Sequence, residues 1–256
     1  MNNKIDIILL SFPNKDIDYP TIALPLLSGA LKNANYIVEP RDIDLEIKDY
    51  ITTPKFLKEL KDTILPSLMI ANANNTEIFN QISSIYETLI EVDTNYSFQD
   101  LCGMKILMQN RKYELVFKTE ESTNLCKLFY KYLMRLIPLL KILVTNPYIE
   151  QIFPNTLPFQ FMDNLLKEII HKSPKAIGIS FEGVQRHFTF WFLKKLKSKY
   201  DYKGKVIVGG PDPTFYGKKI MSHFPEIDFL IYKEGEHALP LLMDFITKKT
   251  NNLHEI

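Results

Sequence analysis

Hydrophobic residues follow one pattern near the two ends of this chain and a different one in its middle. Near the ends, short continuous apolar runs alternate with segments whose apolar residues recur at helical spacing. Short apolar runs bounded by turn residues are typical of strands buried on both faces of a parallel sheet. We predict five such strands, at 5–10, 36–39, 176–181, 206–208 and 229–231. The accompanying helices are predicted at 21–34, 185–200 and 237–248, with a short one after the Pro-Asp-Pro-Thr turn. The chain is therefore expected to contain an α/β fold.

The middle of the chain lacks this alternation. Between residues 47 and 172 the only glycine is Gly103, and leucine, isoleucine, lysine and aromatic residues recur at helical spacing. Helices are predicted at 54–64, 77–90, 123–143 and 159–171. Residues 72–75 and 93–95 are predicted as loops, and 112–118 as a possible short strand. Because a normal crossover between strands is far shorter, we predict an α/β domain of residues 1–46 and 173–256, with a mostly helical insertion at 47–172 after the second strand.

Composition excludes several classes of protein. The net charge is only +1, whereas a nucleic-acid binder usually carries a concentrated basic face. The longest apolar segment, 133–144, is interrupted by charged residues and a proline and is too short for a membrane span. The first residues do not form a signal peptide. Cys102 and Cys126 fit neither a disulfide framework nor metal-ligand spacing and are expected to be buried thiols. These observations predict a cytoplasmic protein that binds neither nucleic acid nor membrane.

Four turns follow predicted strands, at 11–14, 180–185, 209–214 and 234–236. Parallel strands place their carboxyl ends at one edge of a sheet, where α/β proteins bind ligands. We therefore expect these turns to converge on one rim.

The Gly209-Gly210 pair has two interpretations. Without Cβ atoms, the backbone can approach a ligand closely or adopt a positive φ; alternatively, the pair is a tight turn that binds nothing. Thr214 is predicted to cap the next helix, whose N-terminus would offer N–H groups to a phosphate or amide. Glu236 could cap the last helix, and Glu234 could accept N–H groups of the Gly-Gly turn.

The chain contains no recognised catalytic motif. It has no G-x-S-x-G, no P-loop and no G-x-G-x-x-G after the first strand. A catalytic Glu234–Glu236 pair is disfavoured, because residues two apart around a glycine need not converge. We predict no catalytic residue and no metal-ligating residue in this chain.

Several segments together resemble the cobalamin-binding domain found at the N-terminus of many radical S-adenosylmethionine enzymes. They are SFPN, LPLLSGALKNANYIVEPRDID, GISF, GGPDPTF and PEIDFLIYKEGE. The resemblance covers the two α/β segments and leaves the helical middle outside. It implies a flavodoxin-like (Rossmann-type) five-stranded parallel sheet of order 2-1-3-4-5, a corrinoid over the carboxyl ends of the strands, and the nucleotide tail beside the Gly-Gly turn.

The resemblance also implies a set of cofactor contacts. They are Ser11, Pro13, Ser180, Gly183, Gly209, Gly210, Pro211, Thr214, Glu234 and Gly235. These residues would hold the cobalamin and take no part in chemistry.

Two departures from related enzymes limit this comparison. Cobalamin-dependent mutases carry D-x-H-x-x-G, whose histidine ligates cobalt, and none of the five histidines here lies in such a motif; His187 is the one expected nearest the rim. The resemblance therefore implies cobalt without a protein imidazole. The C-x-x-x-C-x-x-C motif is also missing. An iron–sulfur cluster and S-adenosylmethionine would belong to a following barrel, if the chain is the N-terminal region of a longer enzyme rather than a protein that has lost it.

Three functions remain open at this point. The first is a cobalamin-binding module of a methyltransferase-like radical enzyme, without activity of its own. The second is a non-catalytic protein-interaction module on a flavodoxin-like scaffold, which exposed aromatic and leucine residues on the insertion, or a rim filled by Phe215 or Tyr216, would favour. The third is a small-molecule transferase that binds a nucleotide at the same rim.

Overall fold

The computed structural model describes residues 4–13, 22–110, 112–145, 157–183 and 185–250. The chain divides into two compact units. Residues 1–45 and 160–256 form the α/β unit, and residues 46–159 form the helical unit. The predicted insertion, 47–172, differs from the helical unit mainly by one helix at its C-terminal end.

Five parallel strands and a set of helices make up the described part of the chain. The strands are β1 (Ile7–Ser11), β2 (Val38–Asp42), β3 (Ala176–Ser180), β4 (Lys205–Gly209) and β5 (Phe229–Leu230). The helices are α1 (Ala23–Asn33), α2 (Ile43–Ile51), α3 (Pro54–Glu59), α4 (Leu65–Ala71), α5 (Thr76–Asn95), α6 (Phe98–Gln109), α7 (Tyr113–Val116), α8 (Glu120–Thr145), α9 (Leu157–Lys172), α10 (Gln185–Ser198), α11 (Pro211–His223) and α12 (Gly235–Ile246). A π-helical turn, Leu60–Ile64, joins α3 to α4.

The strands form one sheet in the order β2-β1-β3-β4-β5, and every pairing is parallel. This order is that of the flavodoxin-like α/β fold, so the predicted fold is confirmed. Two strands begin two residues later than predicted: β1 begins at Ile7, and β2 includes Arg41 and Asp42 and excludes Tyr36. The larger difference concerns β2. It is an edge strand, only partly buried and containing Pro40, so its hydrophobic pattern is weak.

Both faces of the sheet are covered by helices. Ile7 and Leu9 of β1 point to one face, where they join a core with Leu31 of α1 and Leu242 of α12. Residues of opposite parity point to the other face, and there the ring of Phe12 lies 5.1 Å from that of Phe192 on α10. Strand β1 is consequently buried on both sides, as the apolar run at 5–10, broken only by Asp6, predicted.

Helix α9 belongs largely to the α/β unit, although the sequence placed it in the insertion. Ion pairs attach it to the edge strand β2. Lys172 Nζ lies 2.6 Å from Glu39 Oε1 and 2.8 Å from Glu168 Oε1, and Arg41 Nη1 lies 2.9 Å from Glu168 Oε2. Helical periodicity predicts that α9 is a helix, but it cannot predict that charged side chains of α9 form ion pairs with β2.

The helical unit is helical throughout its described residues, apart from turns. The possible strand at 112–118 is wrong, because this segment contains the short helix α7, with Val116 buried and Phe117 exposed. The loop predicted at 93–95 is also wrong, since α5 continues to Asn95. Helices α2, α4 and α6 were not predicted, although Ser97 and Asp100 form a capping box that marks the start of α6.

No helix among the described residues combines the length and apolar character that crossing a membrane requires.

Candidate functional site

The carboxyl ends of three neighbouring strands are aligned. Ser11, Ser180 and Gly209 end β1, β3 and β4, and the strand register pairs Ser11 with Ser180 and Ser180 with Gly209. The prediction that the turns share one rim is therefore confirmed for these three strand ends; Asn14 and Val184 of the predicted turns lie outside the described residues.

A cavity of about 520 Å³ opens at this rim, between the sheet and helices α1 and α12. Its floor contains Leu9, Gly178 and Ile207, which are register partners on β1, β3 and β4. Most of its wall is apolar, including Leu24 and Leu27 of α1. The volume lies within the range of roughly 300–1,000 Å³ typical of small-molecule pockets. Seven of the ten predicted contacts line it: Ser180, Gly209, Gly210, Pro211, Thr214, Glu234 and Gly235.

Gly178 is part of the floor and was missed as a site residue. A Cβ atom at this position would lie 2.7 Å from Leu9 Cδ2 and 3.4 Å from Ile7 Cδ1. Any side chain here would therefore force Leu9 to move and would reduce the cavity. The signal was a glycine inside a buried strand, which often marks the close approach of a ligand or of another backbone.

The two glycines of the Gly-Gly turn have different reasons to be glycine. Gly210 has φ of 102°, and its Cβ would lie 2.9 Å from Ser180 Oγ and 3.0 Å from the Phe181 backbone. Its identity is set by the tight turn itself. Gly209 has no such backbone constraint, since its Cβ would meet Ile231 at an ordinary 3.8 Å. The missing side chain at Gly209 leaves the cavity open. The tight-turn interpretation therefore applies to Gly210, and Gly209 leaves space at the cavity.

Thr214 does not cap α11, so that prediction is wrong. The helix begins at Pro211 with Gly210 as its N-cap, and Thr214 lies in the first turn. Its hydroxyl donates to Gly210 O at 2.9 Å and accepts the Lys233 N–H at 3.0 Å. Thr214 therefore links the turn after β4 to the turn after β5.

The N-terminus of α11 is a poor anion site, contrary to expectation. Its first and third residues, Pro211 and Pro213, have no N–H groups. The N–H of Asp212 donates to Phe181 O at 3.4 Å, and that of Thr214 donates to Gly210 O at 3.1 Å. A phosphate at a helix start needs free N–H groups. In the first turn of α11 two residues have no N–H group, and the N–H groups of the other two are already hydrogen-bonded.

The turn after β5 forms the opposite lip of the cavity. Lys233 has φ of 58°, a left-handed conformation that is uncommon for residues other than glycine. Glu234 is the N-cap of α12, but its exposed side chain caps no described N–H group and makes no described bond to the Gly-Gly turn. The cap expected from Glu236 is wrong, because Glu236 lies inside the first turn. Gly235 allows α12 to approach α1, since its Cβ would lie 3.0 Å from Leu27 Cδ2.

Three predicted contacts do not line the cavity. Ser11 is buried, and its Oγ lies 3.3 Å from Gln185 Nε2, which also donates to Phe12 O at 2.7 Å. Pro13 is buried as well. Gly183 is exposed, with φ of 51° and open space where its Cβ would lie. Ser11 and Gly183 contribute to the shape of the strand ends and not to the cavity wall.

Charge at the cavity is confined to the lip formed by Lys233, Glu234 and Glu236. None of the four described histidines lines the cavity, and the fifth, His254, lies outside the described residues. Within the described ranges, no three His, Cys, Asp or Glu side chains are grouped as a metal site would require.

Apolar side chains surround the mouth of the cavity. Phe215 of α11 is 80% exposed and Leu26 of α1 is 50% exposed, and both contribute to the lining. Tyr216 is exposed and lies outside the lining. Neither aromatic side chain fills the rim.

Fold and site together define a flavodoxin-like α/β unit with an open apolar cavity at the carboxyl edge of its sheet. The chain matches no protein-family model, no curated protein and no solved structure.

Proposed function

We propose that the α/β unit is a corrinoid-binding module and that its cavity receives the nucleotide tail of cobalamin. The observation that carries this proposal is the apolar cavity at the carboxyl edge, whose floor and mouth lack side chains at Gly178 and Gly209. A flat aromatic base fits a cavity that has apolar walls and one glycine in its floor. The proposal also agrees with the resemblance of the GGPDPTF and KEGE segments to cobalamin-binding domains.

The residues around the mouth fit a ligand that is larger than the cavity. Phe215 and Leu26 offer exposed apolar surface on α11 and α1, and exposed apolar patches beside a cavity commonly mark binding surfaces. The corrin macrocycle would lie against this surface, with its tail inside. No described histidine lines the cavity.

Bound cobalamin would supply a carrier for a methyl group. The proposed context is a radical S-adenosylmethionine enzyme of methyltransferase type, whose iron–sulfur barrel would act on the substrate. In that arrangement the residues of this chain bind and orient the cofactor, and catalysis belongs to the barrel.

The test is whether the protein retains hydroxocobalamin after free cofactor has been removed. Purified protein is mixed with hydroxocobalamin, passed through a desalting column and measured by visible absorbance. We expect stoichiometric retention by the wild type. Gly209→Leu places a side chain in the cavity mouth without a backbone conflict, and we expect it to abolish retention. Gly29→Leu, at an exposed position of α1 with open space around it, is the matched control and should retain the cofactor. No retention by the wild type contradicts the proposal.

The two rival functions have less support. Exposed apolar residues of the helical unit, such as Ile70, Ile106 and Phe117, belong to different helices or turns, and single exposed hydrophobic residues are normal on protein surfaces. A nucleoside triphosphate needs several phosphate donors; Pro211 and Pro213 remove two of them from the start of α11, and Lys233 is the one cationic residue of the described cavity lining. Thermal unfolding separates the possibilities, because a ligand at 100 times its Kd stabilises the folded state by about 2.7 kcal/mol. We expect this effect from hydroxocobalamin and not from ATP.

A further inference from the structure

Lys233 combines two features that no other residue of the cavity shares. Among the described residues that line the cavity it is the one with a positive charge. It is also held in the left-handed region, with φ of 58°. This conformation is unfavourable for a residue with a Cβ atom, whereas glycine adopts it freely.

The other non-glycine residues with positive φ in the described ranges have an ordinary explanation. They are Asn35, Ser173, Asp201 and Lys248. Each lies within three residues after the end of a helix, where a left-handed residue normally terminates the helix. Lys233 instead lies between a strand and the start of α12, at the lip of the cavity.

Its neighbours on both sides keep Lys233 in this conformation. The Lys233 N–H donates to Thr214 Oγ1 at 3.0 Å. The ring of Tyr232 packs on α11 so closely that a Cβ at Gly217 would lie 2.6 Å from Tyr232 Oη, and Gly235 packs in the same way against Leu27. A conformation that is over-determined by its surroundings and unfavourable in itself is typical of ligand clamps.

The ammonium group is available for a ligand. Lys233 is exposed and pairs with no described carboxylate, although Glu234 and Glu236 lie on the same lip. Those two carboxylates disfavour a ligand that presents only negative charge. They favour one that carries N–H donors as well as an anionic group, next to an apolar part that enters the cavity.

We propose that Lys233 determines ligand specificity by binding the phosphate of a ligand whose apolar ring occupies the cavity and whose amide groups face Glu234 and Glu236. This inference rests on the proposed function, because it assigns the phosphodiester of the cobalamin tail to Lys233. A lysine–phosphate contact is a charge-assisted hydrogen bond, so its loss should be visible as a change in affinity.

The experiment compares two corrinoids by equilibrium titration of the full chain. Hydroxocobalamin carries the phosphate and the nucleotide tail, and dicyanocobinamide lacks both. Lys233→Met is expected to raise the Kd for hydroxocobalamin at least tenfold and to change the Kd for dicyanocobinamide less than twofold. Lys233→Gly should weaken hydroxocobalamin binding equally while raising the melting temperature, because it relieves the left-handed conformation. Lys218→Met, on the exposed side of α11 and outside the cavity lining, is the matched control and should leave both Kd values unchanged.

Three other results would contradict the inference, and they can be told apart. Unchanged hydroxocobalamin affinity in both Lys233 variants overturns the role of Lys233 and leaves the corrinoid module standing. Equal weakening toward both corrinoids also overturns it, because the contact would then not involve the tail. Failure of the wild type to bind either corrinoid overturns the proposed function and this inference with it.

Discussion

The Thr214 hydroxyl accepts the backbone N–H of Lys233 at 3.0 Å and donates to Gly210 O at 2.9 Å. One side chain thereby joins the two turns that form opposite lips of the cavity. The bonds connect α11 to a segment nineteen positions later in the chain.

Removing this hydroxyl should weaken the connection between the two turns and lower the stability of the fold. Thr214→Val preserves shape but leaves the Lys233 N–H without its described partner, while the Gly210 carbonyl keeps only the backbone N–H of residue 214. We therefore expect the free energy of unfolding to fall by about 1–2 kcal/mol. Thr214→Ser keeps the hydroxyl and should remain within about 0.5 kcal/mol of the wild type. Urea denaturation measures both. Equal stability of the Val and Ser variants would show that the bridge contributes nothing.

Gly210 and Gly29 should respond in opposite directions to alanine. Gly210→Ala places a Cβ 2.9 Å from Ser180 Oγ at φ of 102°, which we expect to destabilise the fold by about 1–3 kcal/mol from backbone strain alone. Gly29→Ala, inside α1 and facing open space, should stabilise it by roughly 0.5–1 kcal/mol. Thermal unfolding of the two variants checks the sign of each change, and a stabilising Gly210→Ala would refute the assigned turn geometry.

Asp163 should make stability depend on acid pH. Partial burial opposes ionisation, but hydrogen bonds from Lys167, Lys199 and Tyr200 outweigh it and lower the pKa of Asp163 below its ordinary value. A lowered pKa stabilises the folded state above the unfolded pKa of about 4, and this contribution is lost as the pH falls toward the folded value. Asp163→Asn should therefore cost about 1 kcal/mol at pH 7 and less at pH 3, where part of this contribution has been lost.

Urea denaturation at the two pH values measures this difference. Asp201→Asn is the control, because Asp201 pairs with Lys203 and both side chains are about four-fifths exposed; such exposed pairs contribute little. A penalty for Asp163→Asn that is the same at pH 3 as at pH 7 would contradict the assigned role.

The two cysteines should be unreactive in the folded protein. Burial raises the pKa of Cys102 to about 11, despite the nearby Lys105, and burial also raises the pKa of Cys126. Because the thiolate is the reactive form, Ellman's reagent at pH 8 should modify the native protein at least 100-fold more slowly than the urea-unfolded chain. Cys102→Ala and Cys126→Ala assign the remaining rate to one thiol. Rapid native labelling of Cys102 would show that it is not shielded.

Periodicity was sufficient to predict the sheet, because strands buried on both faces are continuous apolar runs that few other elements produce. It was also sufficient to place Ser180 and Gly209 on one rim, since parallel strands share a direction. The edge strand β2 was harder to predict. It is stabilised on one side only and contains Pro40 and charged residues, so its limits depend on pairing with β1.

The details of the site depended on distances that no local pattern contains. Gly178 belongs to the cavity because of its register with Leu9 and Ile207. Lys233 does so because Thr214 and Gly217 hold its turn. Pro211 and Pro213 predict a turn from the sequence, whereas proline in the first turn of a helix loses no intrahelical bond, and in the structure they begin α11.

The position of β1 in the sheet also determines the order in which the sheet can be completed during synthesis. β1 lies between β2 and β3, but β3 is made only after residues 46–159. At about 5–20 residues per second, one edge of Ile7–Ser11 waits several seconds for its partner strand. An unpaired apolar strand edge favours aggregation. We therefore expect this strand edge to need protection from aggregation during translation until β3 emerges.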